Sequence, residues 1–287
     1  MIYETAAEWT SAPRKSVLLF GMSGLGKTRA SSLLRDGGWF HYSVDYRIGT
    51  RYMGEAIADN FKREAMKVPL LRDLLLSDSV RIASNITFDN LAPLSTYLGK
   101  PGDPAKGGLP FDEYRRRQAQ HREAEISALL DTPRFIDRAA DLYGYKNFIC
   151  DTSGSICEVV NPDYPVLSVL SRHLLLVWIE GSEDHTAELV RRFDRAPKPM
   201  YYRPEFLLDA WNTYLNESGR MPGAVDPDAF VRWTYARALA HRQPRYAAMA
   251  AKWGLKVQAD AMARVKTPED FNALIAEGLT QRAEAAA

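Results

Sequence analysis

The sequence predicts an α/β protein in which helices cover both faces of a parallel sheet, and three observations predict it. Apolar segments rich in strand-forming residues recur between helical patterns. The first and fourth segments are apolar almost throughout, as central strands buried on both faces are. The first runs directly into a glycine-rich turn that opens a helix. The predicted strands are Ser16–Phe20, Trp39–Val44, Asn147–Cys150, Leu174–Ile179 and a weaker Leu255–Gln258.

The turn after the first strand has the pattern G-x-x-x-x-G-K-T. Phosphate oxygens have to be wrapped by several backbone N–H groups, so glycines are needed where the chain turns with positive φ or lies against the ligand. Lys27 would reach the β- and γ-phosphates, and Thr28 would offer its hydroxyl to Mg²⁺. The pattern therefore predicts a P-loop that binds a nucleoside triphosphate. Its residues are Gly21, Met22, Ser23, Gly24, Leu25, Gly26, Lys27 and Thr28.

Acidic residues end the second and third predicted strands, where ligands of open α/β sheets bind. Asp151 is predicted to hold Mg²⁺, although a helix N-cap or Asx-turn acid would look the same. Asp45 is predicted to orient or deprotonate a phosphate acceptor. Arg47 and Arg51 follow it, and they either neutralise an anionic substrate or pair with Asp45.

An arginine cluster follows the fourth strand. Arg192 and Arg195 precede a proline-stiffened segment, so they are predicted to act as a lid over the transferring phosphates. The alternative is a solvated basic face that pairs with Glu188 and Asp194.

A short polar turn follows Asp151. Ser153 and Gly154 are predicted to line the same ligand-binding cleft as Asp151. A helix N-cap at this turn is compatible with that role. The five histidines show no metal-ligand spacing and are expected to be structural or surface residues.

Composition limits the classes of partner. The 287 residues include 37 basic and 36 acidic side chains, for a net charge of +1, so no overall field favours nucleic acid or an anionic membrane. A kinase acting on nucleic-acid ends stays open as a third hypothesis. Its candidate phosphate contacts are Arg115, Arg116, Arg117 and Arg122.

The cysteines and the N-terminus indicate the compartment. Cys150 and Cys157 fit neither metal nor redox C-x-x-C spacing and are expected to be reduced. No basic stretch followed by an apolar region is visible after Met1, and we expect a cytoplasmic protein without a membrane partner.

About a hundred residues separate the second and third strands, far more than a usual βαβ crossover. Helices are predicted there over about 53–66, 70–75 and 111–130, with another beginning at Asp131-Thr132-Pro133. The Gly/Pro-rich segment 98–109, with Lys100 and Lys106, is predicted to be either a mobile flap over a site or a surface loop.

These motifs together resemble the P-loop small-molecule kinases that include shikimate kinase, gluconate kinase and the nucleoside monophosphate kinases. The P-loop is of their type, and Asp45 resembles the acid that orients the acceptor in shikimate kinase. The segment Leu174 to Pro197 resembles their fourth strand, helix and arginine-bearing lid. Arg242 and Tyr246 are similar to an R-x-x-x-Y helix that closes these domains.

The resemblance covers about residues 14–64 and 145–275, and it implies a three-layer αβα P-loop NTPase fold with strand order 2-3-1-4-5. Departures from shikimate kinase, together with the insertion from about 65 to 145, make shikimate itself an unexpected substrate. Ser43 stands where that family has a first acid, and Thr152–Ser155 replaces its glycine triplet. The whole chain also resembles bacterial proteins described only as predicted ATPases, which implies no mechanism.

The predicted organisation and function follow. Residues 1–13 form an N-terminal extension, 14–64 and 146–280 the kinase-like core, 65–145 a helical cap over the carboxyl edge of the sheet, and 281–287 a frayed tail after a last helix over 268–277. The leading hypothesis is ATP- and Mg²⁺-dependent phosphoryl transfer to a small polar metabolite or nucleotide. The alternative is an ATP-binding or ATP-hydrolysing switch that engages a protein partner through its insertion.

Overall fold

The structure is a computed structural model that describes residues 1–161 and 165–286. Its sheet has five parallel strands in the order β2-β3-β1-β4-β5, which confirms the predicted fold class and strand order. The strands are β1 (Lys15–Phe20), β2 (Phe40–Ser43), β3 (Asn147–Asp151), β4 (Leu175–Glu180) and β5 (Gly254–Gln258).

Each strand lies within about a residue of its predicted bounds. The buried runs of β1 and β4 are nearly continuously apolar, as central strands are. The central strand β1 is fully buried from Val17 to Phe20. One difference concerns Val44, which begins a helix after β2.

Fifteen α-helices occur among the described residues. Those before β3 are α1 (Ala6–Ser11), α2 (Lys27–Asp36), α3 (Val44–Arg47), α4 (Gly54–Ala65), α5 (Pro69–Leu76), α6 (Ala92–Leu98), α7 (Phe111–Leu130) and α8 (Thr132–Tyr143). Those after β3 are α9 (Ile156–Val159), α10 (Pro165–Ser171), α11 (Glu183–Arg195), α12 (Pro204–Ser218), α13 (Pro227–Trp253), α14 (Ala259–Arg264) and α15 (Pro268–Ala286). A π-helical turn spans Ile48–Tyr52, and 3₁₀ turns span Pro104–Lys106 and Pro222–Ala224.

The chain divides into two compact units. The sheet unit comprises Met1–Val44, Ile126–Pro197 and Arg232–Ala287. The helical unit comprises Asp45–Glu125 and Lys198–Val231. A cap is predicted over residues 65–145 because they lie between the second and third strands. The helical unit begins earlier, at Asp45, ends at Glu125 and includes the later segment Lys198–Val231. The position of the insertion over the carboxyl edge of the sheet stays a prediction.

The N-terminal extension forms part of the sheet unit. Thr5 and Glu8 form a capping box at the start of α1. Trp9 is fully buried and donates from Nε1 to the Asn272 carbonyl oxygen at 3.0 Å. Helix α15 continues through the residues expected to fray, because alanine is the best helix former and dominates this segment. Ala287 lies outside the described residues.

Helix α7 ties the two segments of the helical unit together. The Tyr114 hydroxyl and the Gln118 side-chain amide both donate to the Met200 carbonyl oxygen, at 2.9 and 3.0 Å. Gln118 also accepts from the Tyr202 backbone N–H at 2.9 Å. These bonds explain why Lys198–Val231 belongs with the insertion.

The segment 98–109 begins at the last residue of α6 and otherwise contains one 3₁₀ turn and an isolated bridge between Pro101 and Leu109. Lys100 pairs with Asp228, and Lys106 pairs with Asp226 at 3.2 Å. The Asp103 backbone N–H donates to the Val225 carbonyl oxygen at 2.8 Å. These contacts favour the surface-loop alternative over the mobile flap.

No helix among the described residues is both long and apolar enough to cross a membrane.

The partly exposed ion pairs of Glu113 in α7 give the helical unit a pH-dependent stability. Glu113 accepts hydrogen bonds from Arg116 and Arg117, each at 2.7 Å. The Arg116 bond is the largest cause that lowers the pKa of Glu113 to about 2. A carboxylate with a lowered folded pKa stabilises fully above its unfolded pKa of about 4, and this stabilisation disappears as pH falls through the folded pKa.

We therefore expect Glu113→Gln to lower the free energy of unfolding by at most about 1 kcal/mol at neutral pH, since the pair is partly solvent-screened. The difference from the parent should shrink as pH falls from about 4 towards 2. Urea titrations monitored by circular dichroism measure it. Glu123→Gln, an exposed change on the same helix, is the control. A pH-independent difference would contradict the prediction.

Candidate functional site

The P-loop joins β1 to α2 with the conformation its glycines predict. Gly21, Gly24 and Gly26 have φ of 137°, 91° and 94°, which side chains rarely adopt. A Cβ on Gly21 would lie 2.7 Å from the Ile179 carbonyl oxygen of β4. The loop is therefore seated on the sheet at a position where only glycine fits.

Lys27 lies inside this loop. Its side chain is buried, and Nζ donates to the carbonyl oxygens of Gly21 at 2.7 Å and Met22 at 3.0 Å. A buried ammonium needs such partners, because desolvation without them is costly. The loop thus positions a cation at the N-terminus of α2, where an anion is favoured.

Asp151 ends β3 beside the loop. It is 7% exposed, and its Oδ1 accepts no hydrogen bond from the described residues. Burial is the largest influence and raises the pKa of Asp151, while the charge of Lys27 and a hydrogen bond from Thr28 act in the opposite direction. The structure therefore brings Lys27, Thr28 and Asp151 together, as predicted.

These groups fit a magnesium ion by their chemistry. Thr28 and Asp151 are oxygen donors, and a buried carboxylate oxygen lacking a donor is one that a cation can satisfy. Among residues 1–161 and 165–286, no group of three or more His, Cys, Asp or Glu side chains could hold a metal. An ion here would take the rest of its ligands from phosphates and water, as Mg²⁺ commonly does. The metal site stays a prediction.

The turn after Asp151 leans on the P-loop. Thr152 Oγ1 donates to the Leu19 carbonyl oxygen of β1 at 2.9 Å. A Cβ on Gly154 would overlap Ser23 Oγ and lie 3.0 Å from the Ser23 backbone nitrogen. Gly154 is therefore a point of backbone contact with the phosphate-binding loop.

Helix α13 holds this turn from behind. Arg242 Nη1 and the Tyr246 hydroxyl both donate to the Gly154 carbonyl oxygen, at 3.0 and 2.5 Å. The two residues are four apart and so share one face of the helix, which continues through Pro244 between them. The R-x-x-x-Y pair that supported the family resemblance therefore fixes the turn beside the P-loop.

A buried carboxylate completes this arrangement. Glu158 lies 3.6 Å from Arg242 Nε and 2.9 Å from His241 Nδ1. Burial raises the pKa of Tyr246 well above its ordinary value, which keeps its hydroxyl protonated as a donor.

The predicted lid arginines lie at the end of α11. Arg191 and Arg192 pair with Glu188 at 2.8 and 2.7 Å, and all three are solvent-accessible. Arg195 is exposed. The pairing with Glu188 agrees with the alternative of a solvated basic face. The lid role of Arg192 and Arg195 stays a prediction.

The predicted acceptor residues belong to the helical unit. Asp45 lies in the first turn of α3, the second residue after β2, and is half-buried. The Arg47 guanidinium lies 5.6 Å from the centroid of the Tyr52 ring. Arg51 is exposed. Their substrate roles stay predictions.

The surroundings of Arg117 do not support the third hypothesis, in which this residue contacts nucleic-acid phosphates. It is buried, and it donates to the Tyr97 carbonyl oxygen and to Asn60. Its charge is engaged inside the helical unit by Glu113, and its guanidinium carbon lies 4.6 Å from the centroid of the Tyr97 ring.

Sequence reasoning missed two side chains near Asp151 and Gly154. His41 Nε2 lies 3.9 Å from Asp151 Oδ2, and both side chains are buried. Glu158 binds partners 83 and 84 residues away. No sequence spacing signals such pairs, because their members come from different elements.

The chain is similar in structure to solved proteins, among them a shikimate kinase. This shikimate kinase, from Bacteroides thetaiotaomicron, is 15% identical over 95% of this chain and 98% of that chain, with a TM-score of 0.38. No residue role is taken from this similarity. No protein-family model matches the chain, and no curated protein matches it. The resemblance to P-loop small-molecule kinases is confirmed as one of fold by this chain's own strand order and P-loop.

The contact at Gly154 leads to a prediction. We expect Gly154→Ala to weaken binding of a non-hydrolysable ATP analogue roughly tenfold, about 1.4 kcal/mol, because the added methyl displaces the P-loop at Ser23. Isothermal titration calorimetry measures the affinity.

Gly223→Ala is the matched control, since a Cβ there meets nothing within 4 Å. Adding Ser23→Ala to Gly154→Ala should recover part of the affinity by removing the overlapping hydroxyl. Undiminished binding by Gly154→Ala would show that the turn does not constrain the loop.

Proposed function

We propose that this protein is a cytoplasmic P-loop kinase that transfers the γ-phosphoryl group of ATP, with Mg²⁺, to a small polar metabolite or nucleotide. The observation that carries the proposal is the convergence of Lys27, Thr28 and Asp151 at a glycine loop on the end of β1. Phosphoryl transfer asks a protein mainly for positioning and charge stabilisation, and these groups offer both.

The proposed roles at the loop follow from the groups present. Backbone N–H groups and Lys27 hold the triphosphate. Thr28 and Asp151 hold the metal, which when bound neutralises charge on the phosphate oxygens. Because burial raises the pKa of Asp151, a bound cation would favour its ionised form.

The remaining roles are proposed for groups around the acceptor. Asp45 would accept the proton of the acceptor hydroxyl, with Arg47 and Arg51 neutralising an anionic substrate. Ser153 and Gly154 would line the substrate side. Arg192 or Arg195 would stabilise the transferring phosphoryl group, which for Arg192 requires exchanging Glu188 for phosphate oxygens.

The first test removes the loop cation. We expect Lys27→Ala to lower ATP-dependent turnover roughly a hundredfold or more, since one electrostatic contact to developing charge is removed. Coupled ADP-release assays with a panel of sugars, small acids and nucleoside monophosphates measure turnover. Lys62→Ala, an exposed change in α4, is the control. Retained turnover by Lys27→Ala would refute a P-loop mechanism.

The second test addresses the acceptor. We expect Asp45→Asn to keep nucleotide affinity and to lower transfer by about 10² to 10⁴, the usual contribution of a general base. Calorimetry with the ATP analogue and single-turnover transfer separate the two effects. Asp59→Asn, an exposed acid of the same unit, is the control. Transfer at the parent rate would exclude Asp45 from this role.

A second candidate function has an observation of its own. Helix α5 buries none of its residues, and it exposes 68% of Leu70 and 71% of Leu76. Exposed apolar surface of this kind commonly marks a partner site. It supports the alternative of an ATP-dependent switch that engages a protein. Slow hydrolysis unaffected by every metabolite, with ATP-dependent capture of a partner that Leu70→Asp and Leu76→Asp abolish, would favour the switch.

A further inference from the structure

The sheet unit contains a pocket that is remote from the P-loop. Phe40 begins β2, and Tyr145 precedes β3 by two residues, so both lie at the amino ends of parallel strands. The P-loop lies at the carboxyl end of β1. The pocket has a volume of about 210 Å³ and is lined by Phe40, Phe135, Arg138, Tyr143 and Tyr145.

Four of the five lining side chains are aromatic, and their rings are already arranged for stacking. Phe40 stacks on Phe148 at 5.5 Å with an interplanar angle of 13°, and on Tyr143 at 6.3 Å and 22°. Tyr145 meets Phe40 edge-on at 5.5 Å and 76°. Tyr143 remains 64% exposed and Tyr145 38% exposed. The sheet thus supports an aromatic wall whose outer ring faces open space.

Arg138 supplies the one charge among the lining residues. Its guanidinium carbon lies 5.6 Å from the centroid of the Phe135 ring, and it forms no ion pair within the described chain. A guanidinium beside an aromatic face stays fully charged and offers a planar fork of donors that suits carboxylate or phosphate oxygens.

The size of the pocket limits its occupant. An apolar cavity of about 150 Å³ accommodates benzene, so about 210 Å³ admits a substituted ring or two fused rings. Aromatic walls favour a flat occupant, because offset stacking needs parallel faces.

We propose that this pocket binds a planar aromatic anion, with its ring against Tyr143 and Phe40 and its acidic group on Arg138, independently of the P-loop. A mononucleotide and an aromatic carboxylic acid share this chemistry. The two sources differ in ring size and acidic group, so separate probes distinguish them.

The test uses calorimetry on the full chain with two probes, adenosine 5′-monophosphate and 4-hydroxybenzoate, and with neutral adenosine as a charge control. We expect at least one anionic probe to bind. Tyr143→Ala and Arg138→Gln should each weaken it about tenfold, the effect of losing one stacking or charge-assisted contact. Adenosine should bind more weakly than its monophosphate if the nucleotide is the ligand.

Arg134→Gln is the matched control, because it removes an exposed cation from the same helix α8 outside the pocket. Its affinity should equal that of the parent. Circular dichroism checks that Tyr143→Ala folds, and Arg138→Gln provides a second variant at a surface position. Binding by the monophosphate alone would assign a nucleotide, and binding by the benzoate alone an aromatic acid.

Lys27→Ala separates this site from the P-loop. We expect that variant to bind the probe like the parent. The proposal is overturned if neither anionic probe binds, if Tyr143→Ala and Arg138→Gln leave the affinity unchanged, or if Lys27→Ala abolishes binding. None of these outcomes depends on whether the protein transfers phosphate.

Discussion

The carbonyl oxygen of Gly154 accepts hydrogen bonds from two side chains of α13. The P-loop contacts the same residue through Ser23. A single peptide unit therefore connects the end of β3 with the loop after β1 and with a long helix. Gly154 lies too close to Ser23 to move towards it, so a shift of Gly154 with α13 would displace the P-loop. We therefore expect the conformation of the P-loop to depend on how α13 packs. Glu158 secures that packing by pairing with Arg242.

Charge at the loop is balanced inside the protein before any ligand is considered. Lys27 donates to two carbonyl oxygens of its own loop, and its charge partly offsets the burial of Asp151. A triphosphate would have to replace neutral oxygens with charged ones around the ammonium. Such an exchange would strengthen the hydrogen bonds of the ammonium, because charged acceptors bind it more strongly than neutral carbonyl oxygens do.

Local patterns predicted the strands, the P-loop and the start of α8 at Asp131-Thr132-Pro133, because burial on both faces, phosphate wrapping and helix entry each require particular residues at fixed spacing. The order of the strands came from the family resemblance. The union of Lys198–Val231 with the insertion could not be predicted, since Gln118 and Met200 form ordinary hydrogen bonds that leave no periodic signal. For the same reason the role of Glu158 could not be predicted from the sequence. Arg242 and Tyr246 could be identified, because residues four apart share one face of a helix.

The bond between Trp9 and Asn272 joins positions 263 residues apart, and it bears on how the protein is made. Along the chain β1 precedes its neighbour β4 by more than a hundred residues, and the helix that buries Trp9 comes later still. Both compact units also draw on segments distant in sequence. Such long-range closure slows folding and leaves apolar strands exposed meanwhile. The strands of the sheet can therefore be fully covered only once the segments on both sides of the helical unit have been synthesised.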